Sequence, residues 1–141
     1  MMSLNVEKIV MVFAEDLPLG LIANTAGVFG MTLGKKFPEL VDVDVQDSDG
    51  KFHAGITNVP IPILKASQEY LKEIRTMVYK QNYDDVFVVD FSDIAQGANT
   101  YSVYIEKMYA VSEKDLHYLG LCLGGNKKKI NKLTGSLPLL R

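Results

Sequence analysis

Two acids and a hydroxyl, Asp90, Ser92 and Asp93, follow directly on the apolar run Val86–Val89. A carboxylate just past a strand can orient a water or accept a proton from a ligand amine or hydroxyl. Two acids close together can also be driven to different pKa values and divide acid and base work between them. That makes Asp90 the candidate catalytic group, with Ser92 and Asp93 as ligand contacts. The competing use is local, since Asp and Ser at such a point often cap the next helical turn.

A second constellation is Gly124-Gly125-Asn126-Lys127-Lys128-Lys129. Glycines let a ligand approach the backbone, a helix start points free N–H groups outward, and lysines add charge. Gly124, Gly125, Asn126, Lys127 and Lys128 are therefore candidate contacts for a small anionic ligand. The three successive lysines fan around a helix, so at most two can face one ligand. A Walker loop is excluded, because its Gly-x4-Gly-Lys-Ser/Thr spacing is absent. The competing reading is a tight turn followed by a solvated basic helix.

Other reactive side chains carry less. Cys122 lies in the apolar run Leu119–Leu123 and reads as a small hydrophobe. His117 is five residues away, on the opposite face of a regular strand, so the two do not form a dyad. His53 has no nucleophile beside it. Asp42, Asp44, Asp47 and Asp49 invite a calcium loop, but Val45 and Ile56 occupy positions where that loop needs acids. With no Cys and His cluster either, neither a metal nor a cofactor is expected.

The elements around these residues suggest alternating strands and helices. Glu7–Ala14 is a continuous apolar run, as in a strand covered on both faces. Asp16 and Pro18 mark a helix start. Ile22, Ala26, Phe29 and Leu33 then share one helical face, and the glycines at 27, 30 and 34 call for close packing on a sheet or a second subunit. Leu17–Gly34 is uncharged, but its glycines, Pro18, Asn24, Thr25 and Thr32 make it a buried helix rather than a membrane span.

Val41–Ile56 reads as a hairpin turning at Asp47–Gly50. Pro60 and Pro62, alternating with Val59, Ile61 and Ile63, demote that segment to an edge strand or an extended connector. Ser67 caps a helix with the stripe Tyr70, Leu71, Ile74, Met77 and Val78. Val86–Phe91 is a strand, Thr100–Ala110 a helix, Ser112–Asp115 a capped turn, and His117–Leu123 the last strand.

This alternation predicts α/β layers with a mostly parallel, doubly covered sheet. Ligands in such folds sit beyond the strand carboxyl ends. Glu15-Asp16, Asp90–Asp93 and Gly124–Lys129 are accordingly expected on one rim. The 141 residues suit one domain spanning 1–141, and 48% hydrophobic with 23% charged residues are ordinary for a soluble globular chain. A formal charge of −2 argues against a general nucleic-acid binder. One cysteine and a start without a signal-peptide pattern suit the cytoplasm.

Four stretches carry a resemblance: the opening strand with EDLPLGLIAN, then ITNVPIPIL, VVDFSDIAQ and LGGNKKKINKLTGSLPLLR. Together they resemble an uncharacterised bacterial family, domain of unknown function two thousand. That family is similar in fold to peptidyl-tRNA hydrolase II, which implies a three-layer α/β/α sandwich with a mixed, mostly parallel sheet of about four strands plus a peripheral hairpin, frequent homodimers and a site near the first helix. The resemblance adds Asp16, Gly20 and Asn24 to the ligand rim and matches Asp90 to the hydrolase aspartate. It places Leu21 where the hydrolase has its essential lysine, and leucine can neither hold a phosphate nor polarise an ester. The expectation is a binding protein for a small polar or phosphorylated ligand, without true peptidyl-tRNA hydrolase activity. A divergent esterase or amidase using Asp90 and a non-catalytic homodimeric interaction protein are the alternatives. As partners, tRNA is less favoured than a small anion, a homodimer is expected, and a membrane is not.

Overall fold

The computed structural model describes residues 4–81 and 83–141. The first apolar run forms β1 (Lys8–Ala14), followed by α1 (Leu19–Lys36). A short turn at Pro38–Leu40 leads into a hairpin of β2 (Val45–Gln46) and β3 (Phe52–His53). Then come β4 (Ile63–Ala66), α2 (Gln68–Lys80), β5 (Val86–Ser92), α3 (Asp93–Gly97) and α4 (Tyr101–Ala110). After a turn at Glu113–Asp115 come β6 (Tyr118–Gly125) and α5 (Lys127–Thr134), and the tail returns along β4, where Lys65 N–H donates to the Pro138 carbonyl at 3.1 Å.

The sheet runs β4-β1-β6-β5, with β2 and β3 as a separate pair. Alternate residues of β1 explain the layers. Val10 and Val12 pack with Leu71 and Ile74 of α2 and Ile130 and Leu133 of α5. Ile9, Met11 and Phe13 point the other way, onto Phe29 and Leu33 of α1. Period 2 in the strand thus feeds two cores, and period 3.6 in the helices closes them. Phe29 and Phe13 are fully buried with ring centroids 6.0 Å apart. Ser67 caps α2 as its position suggests, its side chain accepting from Tyr70 N–H at 3.1 Å. Such a cap contributes about 1 kcal/mol.

The sheet is mixed, but it is not mostly parallel: β1–β4 is its one parallel pair, and β6 runs antiparallel to both β1 and β5. The cause lies in the segment after β5. α3 and α4 make an out-and-back excursion, and Asp93 N–H donates to the His117 carbonyl at 2.9 Å, closing it. The chain re-enters the sheet at the end it left, so β6 must run the opposite way.

Three local expectations also change. Asp16 does not cap α1; Pro18 holds that position, and Asp16 adopts a φ of 67° in the preceding turn. The α1 glycines at 20, 27, 30 and 34 face open space rather than the sheet. Ser112 makes no side-chain cap, and Glu113 turns inward instead. Among the described residues no helix is long and apolar enough to cross a membrane.

Candidate functional site

Reversal of β6 splits the expected rim in two. Tyr118 at the start of β6 lies opposite Ser92 at the end of β5, whereas Gly125 at its far end lies opposite Lys8 and Val86. Asp16, Gly20, Asn24, Asp90, Ser92 and Asp93 therefore belong to one end of the sheet or its flanks. Gly124, Gly125, Asn126, Lys127 and Lys128 belong to the other.

At the lysine end, the helix start is already occupied. Asn126 caps α5 by accepting from Lys129 N–H at 3.0 Å, and Lys127 N–H donates to Glu7 Oε1 at 3.1 Å. The chain's own carboxylate thus takes the place a ligand anion would take. Lys129 is bound to Asp85 at 2.7 Å, and its hydrogen bond holds Asp85 below the usual carboxylate range. Lys127 and Lys128 are exposed.

The other end holds the better-formed site. Asp90 sits in β5 on the α2 face, and its Oδ2 accepts from Arg75 Nε at 3.2 Å. Both side chains are largely covered, at 14% exposure for Arg75 and 19% for Asp90. The Arg75 guanidinium also stacks over Tyr79, 4.0 Å from the ring centroid. Arg75 escaped the sequence reading although its spacing pointed to it. It lies four residues after Leu71, on the sheet-facing stripe, while Asp90 shares the face of Val86 and Val88. One cation and one anion on facing apolar surfaces are expected to meet.

β5 is an edge strand. Beyond it the α3–α4 excursion and α1 enclose a cleft of about 450 Å³ lined by Val28, Thr32, Val89, Asp90, Phe91, Ala95, Ala98, Asn99, Thr100, Tyr101 and Tyr104. Asp90 is its one ionisable carboxylate. Burial, then the nearby Asp90 charge, pushes the Tyr104 hydroxyl above its ordinary pKa, so it stays a proton donor. Tyr101 and Tyr104 meet edge to face at 5.4 Å, with Tyr101 largely exposed at the mouth. Among the described residues, Asp90 Oδ1 accepts no hydrogen bond.

Ser92 is fully buried and caps α3 by accepting from Ala95 N–H at 3.4 Å, so its hydroxyl has a local structural use. Asp93 instead holds His117, through its ring Nδ1 at 3.2 Å and its backbone N–H at 3.3 Å. Sequence reasoning tested His117 only against Cys122 and missed this pair. His53 likewise pairs with Asp47, at 2.8 Å on the hairpin. Asp16 borders a charged hollow with Glu15, Lys65 and Arg141, while Gly20 and Asn24 lie on the exposed side of α1. None of these three lines the Asp90 cleft. On the α2 face Tyr118 donates to Glu113 Oε2 at 2.8 Å, and Lys72 reaches the same oxygen at 3.1 Å. Burial pushes the Tyr118 hydroxyl far up, with the Glu113 bond adding to it. No group of three or more His, Cys, Asp or Glu suited to a metal occurs among the described residues.

Cys122 is fully buried, and burial pushes its thiol up to about 12. Little thiolate forms at physiological pH. Its reaction with a thiol reagent near pH 8 is expected to be at least about 100-fold slower in the folded protein than in urea. Comparable rates in both states would show that the sheet centre opens readily.

An open mixed sheet covered by helices on both faces, with a cleft along the β5 edge, defines an α/β/α domain. The chain belongs to the family described as "Protein of unknown function (DUF2000)", whose model matches residues 7–141. No curated protein matches. The fold is shared with a solved protein of unknown function from Agrobacterium tumefaciens strain C58. It is 16% identical with a TM-score of 0.84, covering 95% of this chain and 97% of that one.

Proposed function

We propose that this protein binds a small, largely apolar molecule carrying a hydrogen-bond donor, in the cleft along the free edge of β5. The observation that carries this reading is the cleft itself: aromatic and aliphatic side chains line it along a free strand edge, and Asp90, tied to Arg75 through one carboxylate oxygen, is the one acid on its lining. Small-ligand sites combine these features, an apolar concavity with a few placed polar groups. Val28, Val89, Phe91 and Tyr104 take the ligand body, and Asp90 accepts from an amine or hydroxyl. A phosphorylated ligand is disfavoured here, because Asp90 would repel it and the α5 start is filled by Glu7.

Amide NMR titration with simple aromatic amines and phenols tests this. Shifts are expected to cluster at Val28, Thr32, Ala95, Ala98 and Thr100, and to weaken about tenfold in Asp90→Asn, as loss of a charge-assisted bond predicts. Shifts scattered elsewhere, or none in the cleft, would remove the proposal.

A second reading is a divergent esterase or amidase related to peptidyl-tRNA hydrolase II, with Asp90 orienting a water. It is favoured by Tyr104 on the lining of the same cleft, whose hydroxyl stays a proton donor. Leu21 in place of the hydrolase lysine weighs against it, as does the engagement of Asp90 with Arg75. Cleavage of an N-blocked aminoacyl-tRNA by wild type but not by Asp90→Asn would establish this alternative.

A further inference from the structure

The hairpin between α1 and β4 buries almost nothing. Every residue from 41 to 58 except Gly55 is exposed, including Val43, Val45, Phe52 and Ile56 at 74%, 57%, 71% and 77%. Isolated apolar surface residues are ordinary, but four on one projecting element are not. The arm is nonetheless well built. Asp47 Oδ1 accepts from Asp49 and Lys51 N–H, and Asp44 Oδ1 accepts from Gly55 N–H at 2.9 Å. A two-stranded hairpin alone in water is marginal, so an element so ordered and so uncovered lacks its packing partner.

Charge names that partner. The arm carries Asp42, Asp44, Asp47 and Asp49 against Lys51 alone. Hydrogen bonding from Val43 N–H holds Asp42 below the usual carboxylate range, and His53 does the same for Asp47, so both are charged at neutral pH. The same chain presents the complement: α5 carries no acid, and beside Lys129, which Asp85 engages, it has Lys127, Lys128 and Lys132 exposed. A hollow of about 590 Å³ on its flank is lined by Gln81, Tyr83, Lys128, Lys129, Asn131 and Lys132. The arm's returning limb passes Lys127, for Val59 and Pro60 border one hollow with Lys8 and Lys127. Arm and basic helix therefore lie at one end of the molecule. The limbs, 41–46 and 51–57, each reach roughly 20 Å, enough to cross to a neighbouring copy.

We propose that residues 41–57 form a dimerisation arm that lies on α5 of a second copy, seating Phe52 in the Tyr83–Lys132 hollow. A two-fold axis repeats the contact and closes the assembly. This does not depend on what the Asp90 cleft binds.

Sedimentation velocity over about 1–100 µM is the test. A dimer is expected, weakened by added salt through screening. Phe52→Ser/Ile56→Ser and Lys128→Glu/Lys132→Glu should each raise its dissociation constant at least about tenfold. Adding Asp49→Lys to the lysine variant should recover part of the loss. All these side chains are exposed, so unchanged circular dichroism is expected to confirm the fold. A monomer throughout the range overturns the proposal, as does a dimer indifferent to the arm variant. Sensitivity to the arm variant without sensitivity to Lys128 and Lys132 overturns the assignment to α5.

Discussion

Gly125→Ala is expected to lower the free energy of unfolding by about 3–5 kcal/mol, a large share of the 5–15 kcal/mol typical of a domain. Gly125 has a φ of 139°, a backbone conformation that side chains with a Cβ rarely adopt. A Cβ there would lie 2.2 Å from the Asp85 carbonyl oxygen and 3.2 Å from Val86 Cα. That oxygen already accepts from Asn126 N–H at 2.9 Å, so it cannot retreat without losing the entry to α5. Gly125 also faces Lys8 on one side and Val86 on the other, within two pairings that hold it in place.

Gly30→Ala is the internal control. A Cβ at Gly30 meets nothing within 4 Å, and its helical backbone suits alanine. It should stabilise by about 0.5–1 kcal/mol. Urea unfolding of the two variants reads both effects. A loss below about 1 kcal/mol for Gly125→Ala would mean that the β6–α5 junction relaxes freely.

Arg75→Met should cost about 2–3 kcal/mol, less than the 3–5 kcal/mol of a fully buried broken pair because some solvent reaches both groups. The variant leaves the Asp90 carboxylate facing an apolar layer without its cation. Arg75→Met/Asp90→Leu removes both charges and should recover much of the loss. Urea unfolding of the two variants decides it: a double variant no more stable than Arg75→Met would show that lost packing over Tyr79, rather than the orphaned carboxylate, sets the cost.

The substance of the fold was legible in local pattern. β1 announced itself as a run apolar on both faces, and its two faces do feed two cores. Ile22, Ala26, Phe29 and Leu33 marked the inward side of α1. Pro60 and Pro62 lie in an extended connector that leads into the outermost strand β4, one of the two roles their spacing allowed, and Ser67 announced the cap of α2. Such features depend on neighbours within a turn or two, so residue type and spacing determine them. The candidate site was only half legible. Asp90 was visible as an acid in an apolar strand, but Arg75 and Tyr104 joined it through contacts between elements far apart in sequence.

What this sequence determined by itself was membership of its family, the identity of its elements and the faces they bury. Only the tertiary structure decided which ends of those elements meet. Strand direction hinges on where the chain returns after β5, and the Asp93–His117 closure brings it back to the end it left. No periodicity within β6 encodes that choice, since a strand's alternation reads the same in either direction. That one reversal separates the lysine-rich helix from Asp90 and leaves the cleft beside the β5 edge as the candidate site.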